Sequence, residues 1–257
     1  MEKEIQVGQI RTRYIEKGEG TPFVILHGWD DTLDLYLKFQ EVLVNRAFRV
    51  FLLYILGLSE RKFPMEKSWS SEDYAKWLME LTDELKIEKF FLFGHSFGSI
   101  IATSFAVLYP EKLFGLIISG PPKGGNDFNP IKLLAILGWV LSILHKIKKI
   151  LPRNIYPWLE KQYGIYKRSN GRMFETLGKV FSANTDLYAK MIKTPTLIVY
   201  GEKDDSLIIR GAKKLARKIK NSCSRVFEGV SHNIQEVCPE ELADEIEGFI
   251  NDSEILS

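Results

Sequence analysis

The chain has 257 residues, 45% hydrophobic and 26% charged, an ordinary globular composition with enough apolar mass for a large core. Lys and Arg number 35 against 33 Asp and Glu, and a formal net charge of +2 is too balanced for the one-sided basic face that nucleic-acid binding needs. The 2 cysteines, Cys223 and Cys238, are too few for a disulfide scaffold and lack metal-ligand spacing, so no metal site is expected.

The opening, MEKEIQVGQIRTRY, is polar and strand-like, without the apolar centre of a secretory signal, which points to a cytoplasmic protein. Residues 5–7 and 10–15 read as strands that pair through Gly8. Residues 23–26 form a continuous apolar run, the pattern of a strand buried on both faces, and 50–53, 90–93, 116–118 and 196–200 repeat it. A weaker strand pattern lies at 224–227. Helical patterns lie between these runs, at 33–46, 71–85, 97–109, 211–220 and 240–250. At the second of them Ser71 is followed three residues later by Tyr74, half a capping box, which leaves Ser70 and Ser71 both open as the cap. Strands alternating with helices predict an α/β fold with a parallel sheet covered on both faces.

The alternation stops between Pro121 and Lys193. A loop, PPKGGNDFNP, opens that stretch, and helical segments come after it at 131–151, 157–163 and 171–181. The pattern predicts a helical lid, 121–193, inserted into a core domain made of 1–120 and 194–257. The run from Leu133 to Leu144 is apolar on most sides but falls short of the ~20 residues that span a bilayer. It reads as a buried lid helix, or as one face of an acyl pocket, or as a weak lipid-surface contact flanked by Lys146, Lys148 and Lys149.

The most informative segment is FFLFGHSFGSII. An apolar run meets Gly94-His95-Ser96-Phe97-Gly98, and a helical pattern starts at once: G-x-S-x-G in a strand-turn-helix context. Side chains at 94 and 98 would collide with the neighbouring strand and helix, so glycine at both lets a sharp turn lift Ser96 above the sheet. A serine nucleophile needs a base, and only 4 histidines exist. His95 adjoins Ser96 and points elsewhere, His27 comes after the first buried strand, and His145 lies in the lid. His232, in a loop past the last strand, is the best base. Asp204, just past the run 196–200, is the preferred acid, with Asp205 the next choice. Serine, acid and base then stand in the chain order Ser96, Asp204, His232. The oxyanion donors are expected to be the backbone N–H groups of Phe97 and Trp29, with Gly28 allowing close approach and His27 tying the loop down.

HGW at 27–29, GHSFG at 94–98, PTLIVYGEKD at 195–204 and GVSHNIQEVCPEEL at 229–242 together resemble the α/β-hydrolase superfamily over essentially the whole chain, most nearly the small bacterial esterase-like hydrolases. The resemblance implies an eight-stranded, mostly parallel sheet flanked by helices, with a helical lid after the sixth strand. The chain departs from the pattern after its fourth strand, where Tyr54 stands in place of the usual Asp and the turn through Ser59 is short. Residues and resemblance together predict a serine esterase forming an acyl-enzyme, without cofactor, acting on a small apolar ester-like substrate. Carbon–carbon or amide cleavage and acyl transfer need the same triad, and a non-catalytic binding protein on this scaffold is the rival from another class.

Overall fold

The apolar runs become the middle of one eight-stranded sheet in the order β1-β2-β4-β3-β5-β6-β7-β8. The computed structural model describes residues 2–58, 66–122, 140, 143–146, 157, 163 and 172–252. Its strands are β1 (Glu2–Val7), β2 (Ile10–Lys17), β3 (Thr21–Leu26), β4 (Phe48–Leu53), β5 (Phe90–His95), β6 (Leu113–Ser119), β7 (Thr196–Gly201) and β8 (Ser222–Phe227). β2 is antiparallel to both β1 and β4, while every pairing from β4 to β8 is parallel. The described helices are α1 (Asp34–Val44), α2 (Ser71–Glu84), α3 (Phe97–Leu108), α4 (Arg172–Phe181), α5 (Thr185–Met191), α6 (Ser206–Lys218), α7 (Ile234–Val237) and α8 (Pro239–Asp252). A 3₁₀ turn, Pro110–Lys112, leads into β6.

Alternate residues of the central strands feed two cores. Val24, Leu26, Leu92, Leu116 and Ile118 face α2, α3 and the helices of 172–218. Phe23, Ile25, Phe91, Phe93, Ile117 and Val199 face α1 and α8. Both faces are therefore dry, which is why these strands read as unbroken apolar runs. α3 is buried along residues 97–106, and its hydroxyls turn back onto its own carbonyls: Thr103 Oγ1 donates to Ser99 O at 2.7 Å and Ser104 Oγ to Ile100 O at 3.2 Å.

Ser70 is the cap of α2. Its Oγ accepts from Asp73 N at 3.2 Å, and Asp73 Oδ2 accepts from Ser70 N at 2.9 Å, a complete capping box one residue earlier than the Ser71–Tyr74 spacing implied. α6 starts at Ser206, five residues before the expected 211, because Asp205 caps it by accepting from Leu207 N at 2.7 Å. α5, which the sequence pattern does not reveal, is capped by Asn184. α4 and α5 are tied to the segment before α2. Trp69 N donates to Thr176 Oγ1 at 3.0 Å, Lys179 Nζ donates to Ser68 O at 3.0 Å, and Tyr188 OH donates to Glu72. Most of the segments expected to be helical at 131–151 and 157–163 lies outside the described residues, as does the turn from Ser59 to Met65. Within them, the His145 ring stacks on Tyr163 at 4.0 Å. No described helix is long and apolar enough to cross a membrane.

Candidate functional site

The carboxyl ends of the parallel strands bring the candidate residues to one edge of the sheet, where this architecture presents its chemistry. Ser96 sits between β5 and α3 with φ 49° and ψ −112°, a backbone conformation that costs energy for any residue with a side chain. The two glycines make room for it. A Cβ on Gly94 would stand 2.5 Å from Gly98 O, and one on Gly98 would stand 2.5 Å from Leu26 O and 2.7 Å from His27 O. Ser96 N donates to Ser119 O at 2.9 Å, anchoring the turn to the end of β6. Phe97 heads α3, so its N–H has no intrahelical acceptor and points along the positive end of the helix dipole.

Asp204 and His232 are 28 residues apart and meet because the loops after β7 and β8 are stitched together. Gly201 closes β7 with a Cβ position only 2.3 Å from Ser231 O, room that only glycine leaves. Glu202 N donates to Phe227 O and Lys203 N to Val230 O, both at 2.9 Å, and Gly229 N donates to Glu202 Oε2 at 2.9 Å. His232 Nδ1 then lies 2.9 and 3.1 Å from the two Asp204 oxygens. The Asp204 side chain is only 3% exposed, against 35% for His232. Asp205 N donates to Asp204 Oδ1 at 2.7 Å, whereas the Asp205 carboxylate is engaged as the α6 cap. With Nδ1–H committed to a carboxylate, the His232 Nε2 lone pair is the one left to take a proton. The His232 ring packs on Gly120, whose φ is +53° and whose Cβ position is 2.8 Å from His232 Cε1. Ser96 Oγ makes no hydrogen bond among the described residues.

His27 is fully buried: its Nδ1–H donates to Gly28 O at 2.8 Å and its Nε2 accepts from Ile55 N at 3.1 Å, which fixes the tautomer. Trp29 lies in the loop after β3, its ring 6.2 Å from that of Phe97. His95 is also fully buried, 4.5 Å from the His232 ring. Burial, and after it the neighbouring His232, push the His95 pKa down to about 3, so this imidazole is neutral. Tyr54, just past β4, donates to Glu2 Oε2 at 3.0 Å and lies under the Arg13 guanidinium, which is 4.2 Å from the ring centroid.

Ser119, which anchors the Ser96 turn, and Gly120, which seats the His232 ring, escape a reading of the sequence. Only Gly120, a glycine directly after a buried strand, leaves a signal that could have been used. No described cluster of His, Cys, Asp and Glu could hold a metal ion.

Comparisons with known proteins bear on the fold. A family model described as the alpha/beta hydrolase fold matches residues 21–144. Over 245 residues the chain is 25% identical to 2-hydroxy-6-oxononadienedioate/2-hydroxy-6-oxononatrienedioate hydrolase 1 of Pseudomonas putida, covering 87% of this chain and 86% of that protein. It is 26% identical over 152 residues to the (lyso)-N-acylphosphatidylethanolamine lipase of Homo sapiens, covering 56% of this chain and 44% of that one. Among solved structures, a putative lipase from Acinetobacter baumannii AYE superposes with a TM-score of 0.78 at 20% identity, over 100% of this chain and 93% of the other. The chain has the α/β-hydrolase fold.

Proposed function

We propose that the protein is a serine hydrolase that cleaves a carboxylic ester or related acyl compound, with an apolar acyl or alcohol group, through an acyl-enzyme. The observation that carries this reading is the Asp204 carboxylate on His232 Nδ1 at 2.9 Å, at the same end of the sheet as a serine on a strained turn. Asp204 holds His232 in the tautomer whose Nε2 is a base, and His232 takes the Ser96 proton as the oxygen attacks the carbonyl carbon. The Phe97 and Trp29 N–H groups receive the oxyanion. The imidazolium then protonates the leaving alcohol, and a water deprotonated by His232 releases the acid and frees the serine. In this reading the inserted segment 121–193 serves as a lid, and α4 and α5 belong to its described residues.

Cleavage of a carbon–carbon bond is the second reading, favoured by the Pseudomonas putida relative, whose name is that of a 2-hydroxy-6-oxononadienedioate hydrolase. The same serine, base and oxyanion donors serve it, and only the leaving group differs. Labelling of the purified protein by a fluorophosphonate probe, blocked in Ser96→Ala, tests the nucleophile. A panel of p-nitrophenyl esters, lactones, thioesters and vinylogous 1,5-diketo acids then separates the two readings. Loss of turnover on Ser96→Ala is expected to reach about 10⁴-fold or more, and retention of most activity overturns the assignment.

A further inference from the structure

Asp31 lies in the loop between β3 and α1 and belongs to no part of the triad. Its Oδ2 accepts from Gly28 N at 2.9 Å and from Tyr36 OH at 2.5 Å. Gly28 N is also 3.2 Å from Tyr36 OH, so the three groups form a closed cluster on one carboxylate oxygen. The cluster explains the glycine: a Cβ at position 28 would stand 2.6 Å from Asp31 Oδ2 and 3.0 Å from His95 Cδ2. Tyr36 is fully buried, and burial first, then the Asp31 charge, hold its hydroxyl proton in place well above the usual phenol range.

The fourth member is His95. Its Nε2 makes no hydrogen bond among the described residues and lies 4.0 Å from Asp31 Oδ2, while its Nδ1 is 3.4 Å from Ser119 Oγ and its ring abuts His232. The Asn233 side chain also lies near this ring. One carboxylate therefore pins the backbone immediately before Trp29, and a neutral imidazole fills the space between that carboxylate and the base. A neutral ring suits the place, because a second cation beside His232 would oppose the imidazolium that forms in the reaction.

We infer that Asp31 is a positioning residue: with Tyr36, and against His95, it fixes the Gly28–Trp29 backbone so that the Trp29 N–H is aimed at the developing oxyanion. This rests on the serine-hydrolase reading, and the test separates the two. Wild type and variants are assayed for the rate of Ser96 labelling by a fluorophosphonate and for kcat and KM on p-nitrophenyl butyrate, with thermal unfolding as the folding control. Removing an oxyanion donor outright costs about 10²–10³-fold, so losing its aim in Asp31→Ala is expected to lower kcat and the labelling rate by about 10- to 100-fold, with KM nearly unchanged. Asp31→Asn keeps an acceptor and recovers most of that loss. Tyr36→Phe removes one hydrogen bond to the carboxylate and is expected to slow labelling by about five-fold.

If the wild type is not labelled at Ser96, the hydrolase reading has failed. If the wild type is labelled and folded Asp31→Ala reacts at the wild-type rate, or loses only KM, the positioning role is overturned. Should Asp31→Ala not fold, Tyr36→Phe decides: slowed labelling supports the role and an unchanged rate refutes it.

Discussion

Glu16 and Asp31 are almost equally exposed, at 12% and 13% of their side chains, yet the fold meets their charges in opposite ways. Glu16, on the outer hairpin strand β2, is held by two cations, Lys3 Nζ at 2.8 Å and Arg49 at 2.5 Å. Asp31, at the carboxyl end of the sheet, is met among the described residues by a backbone N–H, a phenol and a neutral histidine. Asp204 extends the second pattern, with 3% exposure and a histidine as its side-chain partner. A carboxylate cancelled by fixed cations strengthens the fold and little else. A carboxylate met by neutral donors and a histidine instead fixes where those partners point.

The sharpest way to break this contrast is Asp204→Asn beside Asp205→Ala. Removing the charge behind His232 while keeping the shape is expected to lower kcat by about 10⁴-fold, with little loss of stability. Asp205→Ala removes only a helix cap, since the backbone N–H that holds Asp204 remains. It is expected to cost about 1 kcal/mol of stability and to leave kcat nearly unchanged. Steady-state kinetics with urea unfolding of both variants checks the pair, and equal kcat losses would show that the two carboxylates share the role.

Acidification gives the next largest effect. His95 is neutral in the folded chain down to about 3, against 6.5 for an exposed histidine. His232, Asp204, His27, Asp31 and Asn233 surround it, and burial outweighs the carboxylates among them. Burial lowers His27 in the same direction. Above the unfolded value neither state binds the proton and the stability is intact. Below it the unfolded chain takes up protons that the folded chain refuses until the lower value is reached. Stability should therefore fall from about pH 6.5 toward pH 3, with a slope approaching about 1.4 kcal/mol per pH unit from His95 and a further contribution of the same sign from His27. Urea midpoints at pH 7, 6 and 5 test this, and His95→Gln, which takes up no proton, should flatten part of the slope. An unchanged slope in a folded variant would mean that His95 titrates normally.

The same contrast explains how far the sequence can be read. All eight strands are legible, the central parallel ones because burial on both faces needs unbroken apolar runs. β8 is shortened to its last four residues because an edge strand with Ser224, Arg225 and Val226 exposed has no such run. α6 is truncated and α5 missed because their starts are set by caps, Asp205 and Asn184, on exposed first turns where apolar periodicity is weak. At the site, Ser96, Asp204 and His232 stand out because each residue type is rare or directly follows a strand. Asp31 does not, because an aspartate in a loop reads as a turn former until its partner is known. Tyr36 is that partner, and it lies on the inner face of α1, where an aromatic looks like core.

The smallest expected effect belongs to the hairpin. Burial raises the Glu16 pKa, and the hydrogen bonds from Lys3 and Arg49 outweigh it, so the net position is below the ordinary value. A depressed carboxyl contributes stability above its unfolded pKa of 4.5 and loses it as pH falls through the lower folded value, so this contribution should survive at pH 5, where the histidine penalty has already set in. Glu16→Gln gives up two pairs whose cations are half exposed, Lys3 at 51% and Arg49 at 38%. Pairs of that kind contribute from nothing to about 1 kcal/mol each, so the total loss should stay below about 2 kcal/mol and shrink in high salt. Its kcat should match that of the wild type, because the charge removed is already cancelled where it stands and its field does not reach the far end of the sheet.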